Sequence, residues 1–245
     1  MKKHEKLVCA SVLILILGLA MNQALKSLSF YKVENVSIVG ANTVSVSEIA
    51  NRSLFESYYS INYGKMIDAI KGLGYVDNVS ISFDDGTLTL LLDAPENAVI
   101  LTSGENSFLY DGESMRKLLS RDVESLSESY LKVEVDDDYL LYLERYGATD
   151  VFTGLVGALF ELGDYSALIS KAEFSNNNTI GSGKLTLYLD SLNSELSVSD
   201  FQNADRIKDS LKAIEREFSK NPIKALNSSF SEYELRMSDL VRIKR

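Results

Sequence analysis

Histidine and cysteine are nearly missing from this 245-residue chain, which has one of each, His4 and Cys9. Everything beyond residue 9 therefore lacks the commonest general base, the commonest metal ligand and every Ser–His or Cys–His nucleophile pair. A carboxylate or Ser–Lys enzyme stays chemically open, but no cluster of such residues marks one, and no catalytic, metal or cofactor residue is expected. With no second cysteine there is no intrachain disulfide, so the chain folds on apolar cores alone. Basic charge is also scarce: beyond residue 25 there are 22 Lys and Arg against 34 Asp and Glu, a net charge of −12. Such a surface repels phosphate backbones and anionic lipid headgroups, which argues against nucleic acid as a partner.

What is present is apolar: 45% of the residues, with 9% aromatic, enough to build one large core or two small ones. An uncharged run occupies residues 7–25, between Lys6 and Lys26. As a helix its nineteen residues span about 28 Å, close to the hydrocarbon thickness of a bilayer. Leu7, Val12, Leu13, Ile14, Leu15, Ile16, Leu17 and Leu25 give it an apolar surface, and Cys9 within it reads as one more small hydrophobe. Lys2, Lys3 and Lys6 against a single Glu5 put residues 1–6 in the cytoplasm and the bulk of the chain in the periplasm or outside. The expected topology is a single-pass anchor in the cytoplasmic membrane. The rival reading is a cleaved signal peptide, with Gly18-Leu19-Ala20 as its small-x-small site; against it, no Ala-x-Ala closes the run and apolar residues continue through Met21 and Leu25.

Past the anchor, residues 31–39 alternate as a strand and end at Gly40-Ala41-Asn42, which has turn chemistry. Ser45 and Glu48 have capping-box spacing and open a short helix buried through Val46, Ile49 and Ala50, expected to fade near Leu54 or Phe55. A second helix is expected over residues 63–71, with Tyr63, Met66, Ile67 and Ile70 on one side and Gly72 and Gly74 at its end. Val79, Ile81 and Phe83, then Asp84-Asp85-Gly86, then Leu88, Leu90 and Leu92 read as a hairpin. The order strand, helix, helix, strand, strand predicts an α+β unit whose sheet buries one face under two helices.

In these residues the chain resembles a known family. Val36-Ser37-Ile38-Val39-Gly40-Ala41-Asn42 is similar to the opening strand and turn of a POTRA domain, and Leu73-Gly74-Tyr75-Val76-Asp77-Asn78-Val79 to its helix exit. Asp93-Ala94-Pro95-Glu96-Asn97-Ala98 and Ser107-Phe108-Leu109-Tyr110-Asp111-Gly112 resemble the junction motifs of the FtsQ/DivIB family of bacterial cell-division proteins. The resemblance implies a POTRA-like domain over residues 31–99 and an FtsQ-like β domain, a mixed α/β sheet, over residues 100–245.

Within residues 100–245 a strand is expected at 131–135, and Asp136-Asp137-Asp138 is expected to be a solvated turn and not a metal site. A helix is expected over residues 150–162, strands over 167–174, 184–189 and 195–198, and a turn at Asn176-Asn177-Asn178. Gly181-Ser182-Gly183-Lys184 lacks the spacing, the Ser or Thr and the following helix of a phosphate loop. A long helix over residues 200–220 keeps Phe201, Ala204, Ile207, Leu211, Ile214 and Phe218 on one side, and Pro222 is expected to end it.

Residues 233–243 alternate twice around a short polar turn and resemble the closing hairpin of the FtsQ/DivIB ectodomain. A final strand of that kind can accept an extended partner peptide as one more strand. The resemblance implies that Tyr233, Leu235 and Met237 on the first strand and Leu240, Val241 and Ile243 on the second bind small coiled-coil division proteins like FtsB and FtsL. Val241→Pro, by removing an N–H, is expected to abolish that binding and leave the ectodomain folded. The implied function is a non-catalytic scaffold at the division septum, with no cofactor or small-molecule substrate. The alternative is a POTRA-containing component of envelope assembly or secretion.

Overall fold

The computed structural model describes residues 14, 16–19, 21, 33–55, 62–175, 183–220, 222–226, 230–236 and 239–243. Of the expected anchor, Ile14, Ile16 and Leu17 are helical and exposed, whereas Leu7, Val12, Leu13, Leu15 and Leu25 lie outside the described residues. Among the described residues no helix is long and apolar enough to cross a membrane. The chain divides into two units, Met1–Ala94 and Pro95–Arg245.

The first unit is built in the order β1 (Asn35–Val39), α1 (Val44–Phe55), α2 (Tyr63–Lys71), β2 (Asn78–Asp84), β3 (Thr87–Asp93). Its sheet has the order β1-β3-β2, with β3 parallel to β1 and antiparallel to β2. The alternation of Leu88, Leu90 and Leu92 puts all three in the core against Val46, Ala50, Met66 and Ile70 of the helices' apolar stripes, as the periods of 2 and 3.6 require. Asp85 at φ 42° and Gly86 at φ 75° form the two-residue connection of β2 and β3, both in the left-handed region that right-twisted hairpins need.

The cap of α1 differs from expectation. Thr43 fills that place, accepting the N–H of Val46 on its hydroxyl at 3.3 Å and that of Ser47 on its carbonyl at 3.0 Å. Ser45 is inside the first turn and fully buried. Thr43 is fixed there by a second bond, between its hydroxyl and the buried hydroxyl of Tyr75.

The second unit is one nine-stranded mixed sheet. In chain order it contains β4 (Val99–Ser103), β5 (Asn106–Tyr110), β6 (Met115–Lys117), α3 (Ser120–Ser127), β7 (Leu131–Val135), α4 (Asp137–Tyr146) and α5 (Asp150–Glu161). Then follow a 3-10 helix (Gly163–Leu168), β8 (Lys171–Ser175), β9 (Lys184–Leu189), β10 (Ser194–Val198), α6 (Ala204–Lys220), α7 (Pro222–Leu226), β11 (Ser231–Leu235) and β12 (Leu240–Ile243). The sheet order is β12-β11-β10-β9-β8-β7-β4-β5-β6. Alternate residues of the strands, among them Leu101, Val133, Ala172, Leu185, Leu187, Leu196 and Leu235, share one core with Leu143 of α4, Phe152 and Leu155 of α5 and Ile207, Leu211 and Ile214 of α6. The α+β class expected from sequence is what the chain adopts.

Several local expectations are corrected. Asp136-Asp137-Asp138 is the start of a helix and not a solvated turn: Asp136 precedes α4, Asp137 and Asp138 occupy its first turn, and Asp137 accepts a bond from the hydroxyl of Ser103. Carboxylates there complement the positive end of the helix dipole. Thr149 caps α5, taking the N–H of Phe152 at 3.2 Å, and Asp150 is the helix's first residue. Residues 167 and 168 belong to the 3-10 helix, so the strand expected from residue 167 starts at Lys171. The long helix begins at Ala204, because Asn203 accepts the N–H of Arg206 at 3.2 Å and so caps it. Pro222 opens α7, where a helix's first residue needs no N–H. Asn176-Asn177-Asn178, Gly181 and Ser182 lie outside the described residues; a strand, not a helix, starts at Lys184.

Candidate functional site

The strands β6 and β12 are the two edges of the nine-stranded sheet. β6 has three residues and carries Arg116 and Lys117, which is how native sheets discourage further pairing. β12 has four residues, Leu240-Val241-Arg242-Ile243, and among the described residues pairs antiparallel with β11 alone. β11 is itself paired in parallel with β10, so its backbone is used on both sides.

Which groups of β12 remain is decided by the ladder's phase. The N–H of Arg236 donates to the carbonyl of Asp239 at 3.0 Å, which makes 236/239 a hydrogen-bonded pair. Bonded and non-bonded pairs alternate in an antiparallel ladder, so Glu234/Val241 and Glu232/Ile243 are bonded, while Leu235/Leu240 and Tyr233/Arg242 are not. The N–H and C=O of Leu240 and Arg242 therefore point away from β11. Those of Val241 and Ile243 point toward it. The Val241→Pro expectation is corrected accordingly, because that substitution removes a bond inside the hairpin and not one offered to a partner.

The side chains divide by the same alternation. Tyr233 and Leu235 are buried in the core and Leu240 packs partly against it, the inward-facing half that an alternating strand must have. Val241 is half-buried and Ile243 is 40% exposed on the opposite face. Met237 lies outside the described residues.

Residues to which the sequence assigns no role hold this edge in place. Glu217 of α6 accepts a bond from the hydroxyl of Tyr233 at 3.1 Å and from Nη1 of Arg242 at 2.6 Å. Nη2 of Arg242 donates to the Ser231 hydroxyl at 2.9 Å, and the guanidinium sits 5.9 Å from the centre of the Tyr233 ring. Burial first, and then the bond to Glu217, push the Tyr233 hydroxyl above the ordinary tyrosine range. At the turn end, Arg206 of α6 bonds Asp200 at 3.1 Å and the carbonyl of Arg236. The one signal for these contacts in the sequence is that Arg242 interrupts an otherwise apolar strand.

The open face of the sheet carries a second polar group. Lys171 bridges Glu134 at 2.6 Å and Glu173 at 2.7 Å, and Tyr188 donates to Glu173 at 2.8 Å. Bonds to Glu134 and Glu173 raise the Lys171 ammonium, and the bond to Lys171 lowers the Glu173 carboxyl. Among the described residues no three His, Cys, Asp or Glu side chains are grouped to hold a metal ion.

The chain matches no protein-family model and no curated protein.

Proposed function

We propose that the chain is a non-catalytic divisome scaffold of the FtsQ/DivIB type. In this reading residues 7–25 are a single-pass anchor, residues 1–6 are cytoplasmic, the first unit is a POTRA-like domain, and β12 receives an extended segment of an FtsB/FtsL-like partner. The observation that carries it is the position of β12 at the edge of the sheet among the described strands, where Leu240 and Arg242 direct their backbone groups away from β11. An added strand draws its affinity from those groups, and its selectivity from the side chains flanking them. The order of elements supports the same reading: an uncharged run, a βααββ unit, then a mixed sheet with an available edge.

The test is an N-terminal fluorescent fusion imaged in growing bacterial cells. A band at the constriction, lost when residues 231–245 are removed, is the expected result. A band that survives the truncation assigns recruitment to the first unit. Uniform membrane fluorescence through division overturns the reading in favour of an envelope-assembly component.

A further inference from the structure

We propose that the place where α6 gives way to α7 docks on an anionic bilayer surface, an activity separate from strand addition at β12. Lys208, Lys212, Arg216 and Lys220 recur at every fourth residue of α6, and such a row winds by only about 40° per step. The first two are engaged locally: Lys208 faces Asp205 at 4.0 Å, and Lys212 faces Asp209 at 3.7 Å and the Tyr165 ring at 5.4 Å. Arg216 and Lys220 are exposed and, with Glu215 and Ser219, line an open depression of about 480 Å³. Further along the chain, Ile223, Leu226 and Phe230 are exposed at 74%, 58% and 43%. Ile223 and Leu226 are three apart on α7 and so lie on one side of it.

Exposed cations followed within a few residues by large uncovered apolar side chains are what a headgroup region takes up, the cations at the phosphates and the apolar groups at the acyl boundary. Charge decides the orientation. Residues 204–245 hold ten Lys and Arg against seven Asp and Glu, so the acidic excess lies in the rest of the chain, where 15 basic residues face 28 acidic ones. An anionic surface therefore repels the acidic remainder of the chain and attracts the exposed Arg216 and Lys220. In the proposed topology the run 7–25 keeps a bilayer within reach, yet docking is read at residue 223 and does not depend on what binds β12.

The chain has no tryptophan, so Ile223→Trp gives a single reporter. The full-length variant is reconstituted into vesicles of phosphatidylcholine alone or mixed with phosphatidylglycerol, with brominated acyl chains as quenchers. Quenching in the mixture alone is expected, falling at ~0.5 M salt because the charges are then screened. Adding Arg216→Glu and Lys220→Glu should weaken the quenched population about tenfold or more, with the unfolding midpoint unchanged. Equal quenching in both lipids, no quenching in either, or quenching that survives the charge reversal overturns the proposal. Phe230→Trp repeats the measurement if Ile223→Trp does not fold.

Discussion

Tyr233 and Arg242 stand opposite each other on β11 and β12 and both reach the carboxylate of Glu217, at 3.1 and 2.6 Å. One α6 side chain thus ties both strands of the hairpin to the helix beneath them. The edge strand is held from below, and its outer backbone groups pair with no other described strand.

Glu217→Ala should therefore loosen the hairpin more than a surface charge deletion does. It leaves the buried Tyr233 hydroxyl and the half-exposed Arg242 without their shared acceptor. A loss of about 1 kcal/mol is expected, mostly from the tyrosine, since exposed ion pairs contribute little. Thermal unfolding reads this as a midpoint lower by roughly 2–4 °C. An unchanged midpoint would mean the contact holds nothing.

The ladder's phase makes a sharper prediction for proline. Arg242→Pro and Arg242→Ala lose the same guanidinium but differ at the N–H, which points outward. Both should unfold at similar temperatures, and only the proline should abolish capture of an FtsB/FtsL-like partner by the purified protein. Val241→Pro breaks a bond within the hairpin and should lower the midpoint by itself. If the Arg242 pair binds the partner equally, strand addition at this edge is wrong.

How far such features are legible in the sequence depends on whether a period or a charge dominates locally. Residues 63–71 form the helix their stripe predicts, because Met66 and Ile70 recur one helical turn apart and are the residues it buries. The Asp85-Gly86 hairpin is legible because few other pairs adopt two successive positive φ angles. Helix α4 is hidden although Tyr139, Leu140 and Leu143 are buried, since three aspartates at its start read as a turn. Helix α3, with Asp122 and Leu126 as its buried residues, offers almost no apolar period. At the closing hairpin alternation shows that half of each strand faces inward, but not which half is bonded outward. That requires the pairing of Arg236 with Asp239.

Gly40 ends β1 at φ 101°, and a Cβ there would run into the carbonyl oxygen of Leu92 on β3. The obstacle is backbone, so it cannot swing aside as a side chain would. Gly40→Ala should cost about 2 kcal/mol or more, from the disfavoured φ and the clash together. Ala41→Ser, one residue on, is the control and should change little. Urea unfolding followed by circular dichroism distinguishes them, and equal midpoints would contradict the close approach of β1 and β3.

The Lys171 group gives the pH dependence two limbs with opposite signs. Glu173 is held below its ordinary 4.5 by Lys171, so its contribution is complete above that value and is lost as pH falls below it. Lys171, raised above 10.5 by Glu134 and Glu173, contributes fully below that value and loses the contribution as pH climbs through its higher folded value. Tyr188, pushed up to about 12 by burial and then by Glu173, also loses its share on the alkaline side, between 10.0 and about 12. Lys171→Met should accordingly flatten both limbs of a plot of urea midpoint against pH, and Tyr188→Phe the alkaline limb more than the acid one. The lysine and Glu173 are each more than a third exposed, so added salt should shrink the acid difference while leaving Tyr188's burial effect in place. An acid limb unchanged by Lys171→Met would show that Glu173 is not tied to the ammonium in solution.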